Sequence, residues 1–138
     1  MSVFVDSSAF LALLNSADRH HPAAAAVWEQ LLSEAADLRT SSYVVLETAA
    51  TAQTRFGLES ARAFLLDMAP SVLVHWVFEE LHDAGVSVLI AAARRGLSLV
   101  DCVSFELMRE RGIEKAFAFD PHFADQGFEC LPDGQGAR

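Results

Sequence analysis

Basic residues are scarce in this chain: ten Lys and Arg stand against 19 Asp and Glu, a formal net charge of −9, and Lys115 is the only lysine. So acidic a chain is repelled by polyphosphate at long range, which argues against indiscriminate nucleic-acid binding. Long apolar runs are missing too. None reaches the roughly 18–20 residues that cross a bilayer, and the N-terminus lacks the basic start, apolar middle and small-residue cleavage site of an export signal. Cysteine is limited to Cys102 and Cys130, in no zinc-ligand spacing, so two reduced thiols in a cytoplasmic protein are expected. No G-x-G-x-x-G, Walker-type or G-x-S-x-G motif occurs, and nucleotide-binding and serine-hydrolase readings lack their minimum. Internal repeats, low-complexity tracts and linkers are also absent.

What remains is a chain of 138 residues, 52% hydrophobic, enough for one globular domain with a sizeable core. Ser2–Asp6 is short and β-branched or aromatic, as a buried strand is. Helical patterning follows at Ser8–Asn15 and at Pro22–Ala36, where Pro marks a helix start. Leu38–Ser41 reads as a strand, then Tyr43–Phe56 as a helix with Gly57 in a C-cap position. Leu58–Met68 reads as a helix stopped by Pro70, Val72–Trp76 as a strand, and Phe78–Arg95 as a long helix closed by Gly96. Ser98–Arg111 is one more helix, closed by Gly112. Ala116–Phe119 and Phe128–Leu131 read as strands flanking a short helical turn at Pro121–Ala124. This alternation predicts a three-layer α/β/α sandwich around a central, mostly parallel sheet. Ligands of such sheets sit outside the carboxyl ends of the strands. Asp6 and Asp120 each fall at such an end.

Four carboxylates stand out, and each has an ordinary structural reading beside a functional one. Asp6, ahead of Ser7 and Ser8, suits a helix N-cap. Asp120 before Pro121 suits an N-cap with Pro at the first helical position. Asp101 follows Ser98 by three in SLVD, a variant capping box. Glu47 lies inside SYVVLETAATA, where Tyr43, Val44, Ala50 and Thr51 offer no positive partner, so it is either solvated or held for a purpose.

Taken together, FVDSSAFLALLN, the Glu some forty residues later, LSLVDCVSFELMRERGI and AFAFDPHFADQGFECL resemble the PIN domain. Within that family they are most similar to the VapC-like toxin nucleases of bacterial toxin–antitoxin pairs. The resemblance runs from Ser2 to about Leu131, implying one PIN-like domain over 1–138 with a core of about 2–131 and a tail at 132–138. It implies a quartet of Asp6, Glu47, Asp101 and Asp120 that binds one or two Mg²⁺ or Mn²⁺ ions. Asp6 and Asp101 are then the principal ligands, and Glu47 and Asp120 complete the set directly or through water. Ser8 resembles the family's small polar residue supporting the first ligand, and Ser104, one turn beyond Asp101, is a second candidate for the same cleft. The implied activity is hydrolysis of RNA phosphodiester bonds. The implied partners are an RNA substrate, a cognate antitoxin protein and a second copy in a homodimer, with no membrane.

Chemistry agrees with such a quartet. Converging carboxylates raise one another's pKa and take up protons unless a cation intervenes, and oxygen-only ligation suits Mg²⁺ or Mn²⁺ over zinc. Two enzyme rivals fail on single residues. A phosphoryl-accepting receiver domain wants adjacent acids after the first strand and a lysine after a late one, whereas Lys115 precedes its strand. A haloacid-dehalogenase-type phosphatase wants Asp where Ser8 stands. The remaining alternative is a catalytically silent PIN-like binding or scaffold module, whose mark is a broken quartet. The five histidines assemble into no site. Arg94 and Arg95, Arg109 and Arg111, and Arg39, Arg55 and Arg62 are candidate phosphate contacts.

Overall fold

Strand β1 (Ser2–Val5) is the apolar segment SVFV, and Val3, Phe4 and Val5 are wholly buried, as a central strand covered on both faces must be. The structure is a computed structural model and describes residues 1–133, so of the tail expected at 132–138 only Pro132 and Asp133 fall within it. After β1 come α1 (Ser7–Leu14), α2 (His21–Ser33), β2 (Asp37–Ser41), α3 (Ser42–Phe56), α4 (Leu58–Ala63) and β3 (Leu73–His75). Then follow α5 (Glu79–Ala92), α6 (Leu99–Arg111), β4 (Lys115–Phe117), α7 (His122–Asp125) and β5 (Glu129–Leu131).

The strands order themselves β3-β2-β1-β4-β5, and every pairing is parallel. The sheet grows outward from β1 in one direction and then, after β3, resumes at β4 on the other side. With right-handed crossovers, that reversal places the helices after β1 and β2 on one face and those after β3 and β4 on the opposite face. Packing follows this division. Phe10 of α1 meets Trp28 of α2 and Phe64 edge-on, whereas Phe123 of α7 packs against Phe4 and Phe105 of α6. The expected three-layer sandwich is thus present. The gap between β1 and β4, where strand order reverses, is the place such sheets bind ligands.

Several boundaries differ from the sequence reading for local reasons. The second helix ends at Ser33 instead of Ala36, because Ala35 turns left-handed (φ 52°) and Ala36 N–H closes onto the Leu31 carbonyl at 3.0 Å. The helix expected over Leu58–Met68 is α-helical only to Ala63. It widens to π turns over Phe64–Met68 and tightens to a 3₁₀ turn at Ala69–Ser71, where Pro70 has no N–H to continue the ladder. α5 stops at Ala92, not Arg95: Ala93 is left-handed (φ 47°) and its N–H bonds the Leu89 carbonyl, so Gly96 lies in the connection to α6. β4 ends at Phe117 instead of Phe119. Ala118 N–H still reaches Leu131 O, but Phe119 N–H is taken by the Ser8 hydroxyl at 2.9 Å.

Helices α5 and α6 approach closely at Gly85. A Cβ built there would lie 2.5 Å from Val103 Cγ2 and 3.2 Å from Val103 N, so only glycine admits this approach. Cys102 and Cys130 are both free and buried. Among the described residues no helix is long and apolar enough to cross a membrane.

Candidate active site

Asp6 is the first residue past β1. Its own N–H bonds Phe117 O of β4 at 3.0 Å, which stitches it to the strand-order reversal. As N-cap of α1, its Oδ2 accepts from Ser8 N–H at 3.1 Å and from the Ser8 hydroxyl at 2.7 Å. The capping role expected from the sequence is therefore real. Capping uses one oxygen only. Asp6 is 2% exposed, and Oδ1 is buried without any hydrogen-bond partner. An unsatisfied buried carboxylate oxygen is costly, and its consequence is a carboxyl pushed up to about 7, mainly by burial. The negative charges of Asp101 and Asp120 push the same way, against the lowering effect of the Ser8 bonds.

Asp101 sits at the third position of α6 and completes a reciprocal capping box. Ser98 Oγ accepts from Asp101 N–H, and Asp101 Oδ2 accepts from Ser98 N–H, both at 3.1 Å. Its carboxyl is raised above the ordinary carboxylate range by burial first and then by the charge of Asp120, while the Ser98 bonds oppose. Asp120 lies three residues past the end of β4, and its Oδ1 accepts from His122 N–H at 2.9 Å; it is not the N-cap expected from the sequence, because α7 begins at His122 and Pro121 takes the cap position. Three aspartates from a strand end, a helix start and a second strand end thus share one electrostatic environment.

Glu47 arrives differently. It lies mid-way along α3, half-buried, and its Oε1 accepts from the Ser7 hydroxyl at 2.7 Å. The fourth acid thereby meets the Asp6 segment through Ser7 and not through Asp6 itself. Ser7 carried no functional weight in the sequence beyond a helix-start hydroxyl; only the forty-residue contact reveals it. Ser8 does support Asp6, and by accepting from Phe119 N–H it ties Asp6 to the chain leading into Asp120. Ser104 is wholly buried and donates to Val100 O one turn back at 2.9 Å, joining none of the carboxylates.

As the side chains stand, no three His, Cys, Asp or Glu among the described residues form a group that could hold a metal ion. The donor set nonetheless fits a hard cation: it is all oxygen, it carries mutually destabilised negative charge, and it includes a buried oxygen with nothing bound to it.

The arginines expected as phosphate contacts are largely engaged elsewhere. Arg39 pairs with Asp37 at 2.8 Å, Arg62 with Glu59 at 3.6 Å, Arg94 with Asp125 at 3.7 Å and Arg109 with Glu106 at 3.1 Å. Lys115 pairs with Glu129 at 3.6 Å.

Comparison with known proteins shows the family and the fold. A family model for the PIN domain matches residues 3–129. The chain is 34% identical over 133 residues to "23S rRNA-specific endonuclease VapC20" from two strains of Mycobacterium tuberculosis, covering 95% of this chain and 99% of the relative. The crystal structure of Mycobacterium tuberculosis VapC20, described as a sarcin–ricin loop cleaving toxin, matches with a TM-score of 0.80 at 32% identity. That match covers 91% of this chain and 95% of the other. The chain belongs to the PIN-domain family and is similar there to the VapC toxins.

Proposed function

We propose that this protein is a Mg²⁺- or Mn²⁺-dependent endoribonuclease, the toxin of a toxin–antitoxin pair, hydrolysing RNA phosphodiester bonds at the Asp6–Asp101–Asp120 cluster. The observation that carries the reading is the buried, unpartnered Oδ1 of Asp6 at the strand-order reversal, under the charges of Asp101 and Asp120. A cap alone needs only Oδ2; the second oxygen is left for a cation.

Asp6 and Asp101 are assigned as direct ligands, with Asp120 and Glu47 completing the set directly or through water. A bound divalent ion supplies a more acidic water and positive charge against the scissile phosphate. Ser8 pins Asp6 Oδ2 and thereby fixes the direction in which Oδ1 is offered. The capping box does the same for Asp101, because Ser98 holds one carboxylate oxygen against the helix start. Ser7 holds Glu47 Oε1, so Glu47 is oriented without a positive partner. Each acid is thus pre-oriented by a hydroxyl or backbone N–H, which lowers the reorganisation needed when substrate arrives.

The VapC relatives are described as acting on 23S rRNA and its sarcin–ricin loop, and we carry that substrate over as the first to test. An antitoxin bearing an Arg that enters the acidic cleft is the partner the charge favours, and a homodimer is retained from the family resemblance. The test is incubation of the purified chain, free of any partner, with total bacterial RNA in Mg²⁺ or Mn²⁺, followed by primer extension across 23S rRNA. One metal-dependent stop in the sarcin–ricin loop is expected. Intact 23S rRNA beside another cut RNA would overturn the substrate. No cut in any RNA would favour the silent scaffold.

A further inference from the structure

The rings of His20 and Phe119 stack nearly parallel, with centroids 4.4 Å apart and planes 19° apart. They come from distant parts of the chain: His20 closes the connection between α1 and α2, and Phe119 directly precedes Asp120. Both keep part of their surface exposed. The backbone of Phe119 ties the stack to the Asp6 segment. Phe119 N–H donates to Ser8 Oγ, and Ser8 Oγ donates to Asp6 Oδ2, so two hydrogen bonds separate the aromatic pair from the first carboxylate. On the other side, Asp18 Oδ1 accepts from His20 N–H at 2.7 Å, and the exposed Arg19 donates Nε–H to His20 Nε2 at 3.3 Å.

We propose that the stacked His20–Phe119 pair is a platform on which an unpaired nucleobase lies beside the scissile phosphate, making His20 a substrate-positioning residue. The inference rests on the RNA-cleaving reading above. Net charge favours such a platform. At −9, with five of its ten Lys and Arg in ion pairs, the chain attracts RNA only weakly at long range. Unpaired bases of loops offer π faces to aromatic rings, and stacking releases no counterions and ignores net charge. A substrate presenting splayed loop bases fits; a continuous duplex, with its bases stacked inside, does not.

The test uses a fluorescein-labelled hairpin of the 23S rRNA sarcin–ricin loop with the wild-type chain, His20→Ala and His20→Phe. Binding is read by anisotropy in Ca²⁺ and steady-state cleavage in Mg²⁺ or Mn²⁺. His20→Ala is expected to weaken binding about tenfold and to raise KM by the same factor, with kcat within roughly threefold of wild type. His20→Phe restores both, since a π face and not an imidazole is required. The slope of log affinity against log salt stays shallow, on the order of −1, and unchanged in His20→Ala. Wild-type binding and KM in His20→Ala, or no recovery in His20→Phe, overturns the platform. A lowered melting temperature with a fall in kcat alone assigns the stack a structural role and overturns it as well. Wild type that binds the hairpin but does not cleave it overturns the sarcin–ricin cleavage assignment, while the binding arm still decides the platform. Wild type that neither binds nor cleaves the hairpin overturns the platform together with the sarcin–ricin substrate.

Discussion

Ser7 and Glu47, forty residues apart, are joined by a 2.7 Å hydrogen bond from the serine hydroxyl to Glu47 Oε1. This bond is the only hydrogen-bonded link between the acid of α3 and the segment that carries Asp6, among the described residues. Ser7→Ala is expected to release Glu47, lowering kcat for RNA cleavage about tenfold while KM stays within a factor of two or so. Stability should fall by only ~1 kcal/mol, because the bond is half-exposed. Ser7→Thr, which keeps the hydroxyl, should retain most activity. Steady-state kinetics on the three proteins decides this.

Asp6 links stability to pH. Its carboxyl is held at about 7 in the folded chain against 3.8 as a free group, so folding takes up a proton between those values. The penalty is therefore absent below about pH 4, grows as pH rises, and is complete above about pH 7. Asp6→Asn removes it and should stabilise the metal-free protein at alkaline pH by up to ~4 kcal/mol, with little difference near pH 4. Asp101 is displaced in the same direction and adds to the slope seen in wild type. Urea unfolding in chelator at several pH values checks this; a constant difference between the two proteins across pH would contradict it.

Ser8 and Ser104 are similar in sequence terms and unlike in the fold. Ser8 donates to Asp6 and accepts from Phe119 N–H, whereas Ser104 donates only to its own helix. Ser8→Ala should cut kcat by about tenfold or more and leave a buried N–H without its partner. Ser104→Ala should leave activity within about twofold and stability within ~0.5 kcal/mol, since Val100 O keeps its helical N–H donor. Parallel kinetics and melting curves separate them.

Gly85 sets how closely α6, and with it Asp101, approaches α5. Gly85→Ala places a methyl 2.5 Å from Val103 Cγ2. Overpacking of ~1–3 kcal/mol outweighs the ~1 kcal/mol that alanine gains in helix propensity. A net loss of stability is expected by chemical denaturation, accompanied by reduced cleavage as the start of α6 shifts. A stabilised Gly85→Ala variant would contradict the tight α5–α6 contact.

The sequence made the architecture legible because β1 is short, with Val3, Phe4 and Val5 in an apolar run, and the later strands alternate with amphipathic helices. Asp6 and Asp101 were readable from their positions at a strand end and a helix start, and the capping roles of both are present, whereas α7 takes Pro121 as its N-cap and Asp120 bonds only His122 N–H. What stayed hidden depends on contacts between distant residues. Nothing near Ser7 announces Glu47, and nothing near Phe119 announces Ser8 or His20. Helix ends at Ala35 and Ala93 escaped notice because left-handed alanine is rare, and glycine at Gly96 drew the expected boundary three residues too late. Of the arginine ion pairs, Arg39–Asp37, Arg62–Glu59 and Arg109–Glu106 lie two or three residues apart and were legible in local spacing, whereas Arg94–Asp125 joins distant elements and was not.

The most direct measurement is single-turnover cleavage of the sarcin–ricin hairpin by wild type, Asp6→Asn and Asp101→Asn, in chelator and across Mg²⁺ and Mn²⁺ titrations, with calorimetric Mn²⁺ binding on the same samples. The account predicts cleavage by wild type only with metal, loss of at least ~100-fold in both variants, and Mn²⁺ binding abolished by Asp6→Asn. Metal-independent cleavage, or variants that cleave as wild type does, would contradict it and return Asp6 and Asp101 to their capping roles.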